Sequence, residues 1–467
     1  MVASKPLGLQ WRSSYWFTTL VVGLGISVDL IAYSIIVPVG PFQLEKLGYT
    51  NVSELMGWLL FAYSAGLTAA TIPAAFLSEH YNSRQWPLIL GLILLIGSLI
   101  MMMEAPSYAV MCVARVIQGL SSSLVWVVGM ALLCDSTPDT LIGRQLGFAL
   151  AGLSIGSLVG PPVAGALYGK YGFRGPFIFA IIVSVVDLIG RLLVVERKDA
   201  LKWEVDPAFV SASIVTVEDT EMAQVAPASS GHPVRSPPEN MNRQPLPFVS
   251  VLRRLSQSSR AVATFLITLI YGIVYASQEP TLPLHLQSVW GLDSSDVGLV
   301  YLIACVPTLF SSIVTGWATD KFGPAGISIL CLLFSLPWWV VLVLEDRLAL
   351  FVTAFALQSF FTSGVVSPVC AELANVASGI KGVGYAHVYG AFNFAYGAGS
   401  TIGPVIGGHM YDRMARGWMA LCFLATGLVV FVMSIVLCYI GERPLLSRLI
   451  TRITKPSIPV LAPTTKA

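Results

Sequence analysis

Residues 16–41 read WFTTLVVGLGISVDLIAYSIIVPVGP, a run of apolar side chains carrying a single charge, Asp29. A helix rises 1.5 Å per residue, so about 20 such residues cross the hydrocarbon core of a bilayer. Segments of the same kind recur at roughly 54–77, 86–103, 107–133, 143–168, 175–195, 261–284, 297–316, 325–344, 348–371, 383–410 and 417–440. The whole chain of 467 residues is 55% hydrophobic and 11% charged, whereas soluble domains carry about 25% charged residues. A water-soluble core cannot absorb this much apolar sequence, and a bilayer can. The expectation is an all-α membrane protein with twelve transmembrane helices.

Residues 196–258 break the pattern. They are polar and rich in Pro, Ser and Asn, with too few apolar side chains to bury a core. They read as a mostly disordered linker. The chain therefore divides into a six-helix bundle at 1–195, the linker at 196–258, a second six-helix bundle at 259–442, and a tail at 443–467. With the N-terminus in the cytosol, nineteen Lys and Arg fall on the cytosolic side and six on the other. That bias places the linker and both termini in the cytosol. Asn51-Val-Ser53 then lies outside as a weak glycosylation signal. The start of the chain reads as a retained first span and not a cleaved leader.

The two halves repeat. Gly156-x3-Gly160-Pro161-x3-Gly165 recurs as Gly399-x3-Gly403-Pro404-x3-Gly408, and Pro38-x2-Pro41, ending segment 1, recurs as Pro280-x2-Pro283, ending segment 7. The Glu79 turn after segment 2 recurs as the Asp320 turn after segment 8. Matches at nearly one offset point to duplication of a six-helix unit. Parallel repeats about an axis along the membrane normal suit carriers that rock around a midplane site.

Charges inside the spans carry the sharpest functional information. Each costs at least about 2.5–3.5 kcal/mol at the membrane centre, so such groups face a cavity or a partner. They are Asp29, Arg115, Asp187, Arg191 and Glu279. Asp29 lies about 13 Å deeper than Pro38 along the helix. A carboxylate stranded in an apolar site can exchange protons near neutrality and can neutralise a cation. Asp29 and Glu279 are the candidates for those two tasks, against the alternative of structural ion pairing. Arg115 could bridge to a carboxylate or tune it. Asp187 and Arg191, four residues apart, read as a structural pair. Tyr33, Ser64, Gln118, Tyr271, Tyr275, Gln278, Asn393 and Tyr396 lie at comparable depths and suit a cavity for a flat organic solute.

At the cytosolic helix ends, Glu79 with Arg84 and Asp320 with Lys321 can form charge latches that hold one conformation, or can be solvated turns. The glycines at 156, 160, 165 and 403, with Pro161 and Pro404, read as helix packing and gating. The seven cysteines read as small hydrophobes. The net charge of +2 gives no reason to expect a nucleic-acid partner, and the scattered histidines give none to expect a metal. No cofactor is implied. No nucleophile motif or Gly-rich phosphate loop is present, which leaves an embedded enzyme or a non-transporting sensor as the weakest alternatives.

These segments resemble the major facilitator superfamily. RVIQG (Arg115 to Gly119) is similar to the helix 4 motif of its drug–proton antiporters, GLSIGSLVGPPVAG (Gly152 to Gly165) to their helix 5 signature, and GWATDKFG (Gly316 to Gly323) to the family loop motif. VDLIAYSIIVPVGP (Val28 to Pro41), SQEPTLPLHL (Ser277 to Leu286) and GYAHVYGAFNFAYGAGSTIGP (Gly384 to Pro404) look most like the vesicular amine transporter branch. The resemblance implies that Asp29 and Glu279 bear on substrate binding and proton coupling, with Arg115 the matching helix 4 arginine. Three ionisable positions of that branch are Ser64, Ser363 and Asn393 here, so the resemblance implies a related carrier with another solute and a simpler proton path. The long central linker points towards fungal drug-antiporter character. The expected activity is export of small organic molecules of drug or secondary-metabolite type, cationic ones included, in exchange for protons. Uptake by symport on the same fold is the alternative. The expected state is a monomer in the plasma membrane, with a vacuolar or vesicular membrane second.

Overall fold

A computed structural model describes residues 6–80, 84–138, 141–206, 253–378 and 385–441, with 444 and 446. Among these the regular secondary structure is helical. Span 1 runs Tyr15–Ser34 and resumes as Ile36–Lys46; spans 2 to 6 are Val52–His80, Gln85–Met103, Tyr108–Ser136, Ile142–Tyr171 and Arg174–Leu193. Span 7 is Ser259–Ser277 followed by Leu282–Trp290; span 8 is Ser294–Phe322 and span 9 Pro324–Val341. Span 10 is Leu348–Ser363 with Val366–Ser378, span 11 Tyr385–Arg413 and span 12 Gly417–Tyr439. Ten of the twelve are long and apolar enough to cross a membrane on described residues alone. Spans 2 and 11 are helices of 29 residues each. Large apolar side chains remain exposed along the helices, among them Ile93, Ile182, Val186, Ile189, Phe310 and Ile313. Such a surface is stable only against lipid tails.

The prolines break helices where sequence placed helix ends. A proline ring clashes with the carbonyl four residues earlier. Pro38 therefore interrupts span 1 at Ser34, and the chain resumes helically through Pro41 to Lys46. Pro280 and Pro283 act on Ala276 and Glu279, and span 7 stops at Ser277 and restarts at Leu282. Pro368 does the same to span 10 at Gly364. The repeated Pro-x2-Pro thus marks a break inside a span and not its end.

By contacts the chain forms two compact units. The first holds residues 1–244, 275–305 and 400–418. It therefore contains spans 1 to 6 together with the second piece of span 7, the start of span 8 and the end of span 11. Its tightest crossings rest on glycine. A Cβ at Gly156 would lie 2.5 Å from the Leu30 Cβ and 2.7 Å from the Ser27 carbonyl oxygen. Cβ atoms at Gly152 and Gly160 would meet Gly23 and Ser34 in the same way, so span 5 lies on span 1 through three successive turns. Span 2 meets span 4 through Gly66 and Gly119, the latter against the Tyr63 backbone. Asp187 and Arg191 face each other at 3.5 Å and are buried, with no other hydrogen-bond partner. They fill the space left by the absent side chain of Gly25.

The start of the region read as linker is ordered. Arg197–Leu201 is a helical turn with Ala200 buried. The buried Glu196 carboxylate accepts the backbone N–H of Arg84 at 3.0 Å and of Gln85 at 2.7 Å, capping span 3. Residues 207–252, the bulk of that linker, lie outside the described residues, as do most of the 443–467 tail positions.

The second unit holds residues 245–274, 306–399 and 419–467. There Glu372, fully buried, accepts from Arg260 at 2.7 Å and from the backbone N–H of Gly441 at 2.9 Å. One carboxylate so ties spans 7 and 10 to the end of span 12. The rings of Tyr271 and Tyr396 lie 5.8 Å apart, and Tyr271 is hydrogen-bonded to Ser363.

Candidate functional site

Span 4 presents one stripe to the interior of the first unit: Arg115, Gln118, Ser122 and Trp126, spaced three and four residues apart. All but Trp126 are fully buried. Asp29, at 0% exposure, faces that stripe from span 1. Its Oδ2 accepts from Ser122 at 2.6 Å, from the indole N–H of Trp126 at 2.9 Å and from the Tyr63 hydroxyl at 3.5 Å. Tyr63 also donates to Ser122 at 2.8 Å. The Asp29 Oδ1 has no hydrogen-bond partner. Hydrogen bonds to a charged group contribute about 1.5–3 kcal/mol each, enough to hold a carboxylate in an apolar bundle. The bare second oxygen is where a proton or a cation can attach.

Glu279 sits in the break of span 7, between two prolines that leave the backbone irregular. The hydroxyl of Tyr33, just before the break in span 1, donates to Glu279 at 2.5 Å. Tyr33 packs on Tyr63 with centroids 4.7 Å apart. Arg115 lies over both rings, 5.3 Å from the Tyr33 centroid and 5.1 Å from that of Tyr63. Its Nη1 donates to Gln118 at 2.7 Å, while Nε and Nη2 have no partner. The cation is held by two aromatic faces and makes no direct salt bridge to either acid, although it interacts electrostatically with both. The result is one chain of contacts: Glu279, Tyr33, Arg115, Tyr63, Asp29.

Of the residues expected at this site, Asp29, Glu279, Arg115, Tyr33 and Gln118 come together. Ser64 and Gln278 are buried nearby in sequence, on spans 2 and 7. Tyr275 is 37% exposed, which sets it apart from the buried network. The side chain of Asn393 lies outside the described residues. Sequence reasoning missed Tyr63, Ser122 and Trp126. The helical spacing of Ser122 and Trp126 from Arg115 was the available signal. Tyr63 was hidden behind its neighbour Ser64.

At the helix ends, Arg84 pairs with Asp135 at the end of span 4, 2.9 Å away. The side chains of its expected partner Glu79 and of Asp320 lie outside the described residues. Lys321 lies 5.4 Å from the Trp317 ring. Gly165 and Pro161 of span 5 pack on the start of span 8, while Pro404 of span 11 packs on Gly57 of span 2. Gly403 is buried.

Helices that cross a bilayer and bury an acid–arginine–acid network, built on a duplicated six-helix pattern, define a multi-pass membrane transporter. The chain belongs to the major facilitator superfamily, whose profile it matches over residues 9–259 and 264–463. An MFS-type transporter of Metarhizium rileyi is 24% identical over 480 residues, covering 94% of this chain and 97% of that one. The synaptic vesicular amine transporter of Rattus norvegicus is 24% identical over 379 residues, covering 77% of this chain and 62% of its own. Among solved structures, a bacterial homologue of the human lysosomal transporter Spinster, inward-facing and unoccupied, aligns with a TM-score of 0.67 at 14% identity, over 96% of this chain and 99% of that one. A D-xylose–proton symporter aligns with a TM-score of 0.67 at 12% identity, over 92% and 99%. These two alignments bear on the fold.

Proposed function

We propose that this transporter exports small, fairly hydrophobic organic molecules, cationic ones among them, in exchange for protons. The observation that carries the reading is the arrangement of Asp29 and Glu279 on one buried network, with Arg115 parked on tyrosine faces between them. An arginine fixed in a salt bridge to either acid would neutralise it permanently. An arginine held by aromatic rings leaves each carboxylate available to a proton or to a substrate cation, and biases the two against being charged or neutral at random. Asp29 and Glu279 alternate between proton and solute, and the halves 1–195 and 259–442 rock about the central cavity to expose them to each side in turn. The similarity to a vesicular amine transporter supports a cationic or amine-bearing solute. The serines at 64 and 363 and the asparagine at 393 favour a solute and a proton path of its own. The plasma membrane is the proposed site of action, with a vacuolar or vesicular membrane as the second.

The test is proton-driven transport in proteoliposomes with Asp29→Asn and Glu279→Gln. Each substitution is expected to abolish coupling to a pH gradient while substrate exchange at equal pH persists in at least one of them. Intact proton-driven transport in both would refute the mechanism. The same vesicles decide the direction. Accumulation with the proton gradient parallel to solute movement would establish symport in place of antiport.

A further inference from the structure

Spans 2 and 11 cross through glycine at the face carrying Asn51. A Cβ on Gly57 would run into the Pro404 carbonyl, and one on Gly408 into the Ser53 carbonyl. The duplication supplies a second crossing of the same design, where Gly298 lies against Pro161 and Pro162, and Gly165 against Ser294. The two crossings differ in chemistry. At the second, Ser294 and Ser295 donate to the Gly165 carbonyl at 3.4 and 3.2 Å, and no charge takes part. At the first, Glu54 of span 2 stands where its repeat mate is Ser295, and span 11 answers with three titratable groups. His409 Nε2 is 3.1 Å from Glu54 Oε1, and Arg413 grips both carboxylate oxygens at 3.2 Å. Asp412 accepts the backbone N–H of Glu54 at 2.7 Å and so caps the start of span 2 from a different helix. His409 Nδ1 is buried without a partner, and Trp58 meets the ring edge-on with centroids 6.2 Å apart. A symmetric packing contact needs none of this.

We propose that His409, Glu54 and Asp412 form a proton-binding latch on the outer face, distinct from Asp29 and Glu279, and that protons arriving from outside hold this crossing closed. The linkage sign is the same for both titrating partners. An imidazolium beside Glu54 gains an ion pair that the neutral ring lacks, so closing the latch takes up a proton. Burial of Asp412 raises its carboxyl above the ordinary value, against the lowering effect of the Glu54 amide. A group whose proton affinity rises on closing favours the closed form as pH falls, and releases it as pH climbs through the raised value. The neighbouring titratable groups are Glu45 with Tyr49 on the chain between spans 1 and 2, Tyr108 at the start of span 4, Tyr411 on span 11, and His285 at the end of span 7. Glu45 is engaged by Gln287 at 2.9 Å. Outer acid would then promote the step in which a protonated carrier turns inward. The inference rests on the exchange reading only for that last consequence, so its test reads conformation and not transport.

Nitroxide labels on cysteines at Thr50 and Met414, both exposed, report the separation of the starts of spans 2 and the end of span 11, in a chain whose native cysteines are replaced. Between pH 8 and pH 5 the short-distance population is expected to rise at least threefold. His409→Gln with Asp412→Asn is expected to flatten that response, and Arg413→Gln to lower the short-distance population at every pH. Each single variant keeps a hydrogen-bonding side chain and replaces the double variant if that does not reach the membrane. A native chain whose distances ignore pH would overturn the proposal, as would a response that survives both substitutions. Asp29→Asn and Glu279→Gln should leave the response in place, so a failure of the exchange mechanism and a failure of the latch give different results.

Discussion

Gly156→Ala tests whether the closeness of spans 1 and 5 sets the geometry at Asp29. The added Cβ would stand 2.5 Å from the Leu30 Cβ and 2.7 Å from the Ser27 carbonyl oxygen, while ordinary van der Waals contact starts at 3.4 Å. One of the two atoms in the way is backbone, so the clash cannot be relieved by a rotamer. Span 1 must retreat by about 1 Å, and overpacking of this kind costs about 1–3 kcal/mol. Ser27 and Leu30 flank Asp29, so the retreat moves the carboxylate relative to span 4. The Ser122 bond at 2.6 Å would stretch beyond useful length, and a charged hydrogen bond contributes about 1.5–3 kcal/mol. The expected outcome is a melting temperature lower by a few degrees in detergent and transport in proteoliposomes reduced about tenfold or more, since about 1.4 kcal/mol corresponds to one decade. Gly97→Ala is the control. A Cβ there meets nothing within 4 Å, and both readouts should stay at native values. A Gly156→Ala protein as stable and active as the native one would refute the argument, and so would equal damage from Gly97→Ala.

Three further outcomes follow from named contacts. Asp187→Asn strands the buried Arg191 cation and should cost about 3–5 kcal/mol, seen as poor yield and early melting, whereas Asp187→Leu with Arg191→Met should recover most of the loss. Glu196→Gln weakens the cap on the Arg84 and Gln85 amides and should destabilise by about 0.5–2 kcal/mol. Asp135→Asn, which opens a half-exposed ion pair, should change melting by no more than about 1 kcal/mol. Reversing the order of those last two effects would show that the Arg84 latch, and not the cap, holds the end of span 3.

Much of the fold was legible because a bilayer imposes a coarse demand. Long apolar segments, a central polar break and a repeated glycine–proline pattern are visible without knowing any contact. The ends were less legible. Pro38 and Pro280 were read as terminators, because a proline stops a helix locally and the sequence does not show that the chain resumes along the same path. The ordered stretch at Glu196 was also missed. Its polar composition resembles the residues that follow, and only the two amides it caps distinguish it. At the candidate site the charges announced themselves by their cost. Asp29, Arg115 and Glu279 could be found from that cost alone, since each must be compensated wherever it sits. Their compensation could not. Tyr63, Ser122 and Trp126 are unremarkable in a membrane helix, and their importance arises from the face they share. That face follows from the span 1 to span 5 glycine contact, which pushes Asp29 towards span 4 and away from lipid. The arrangement of Arg115 was the least foreseeable element. An arginine between two acids suggests a salt bridge, and in its place two tyrosines share the cation. In that placement the arginine is close enough to bias both carboxylates and too well held by the rings to satisfy either, which leaves Asp29 Oδ1 available to a proton or a solute.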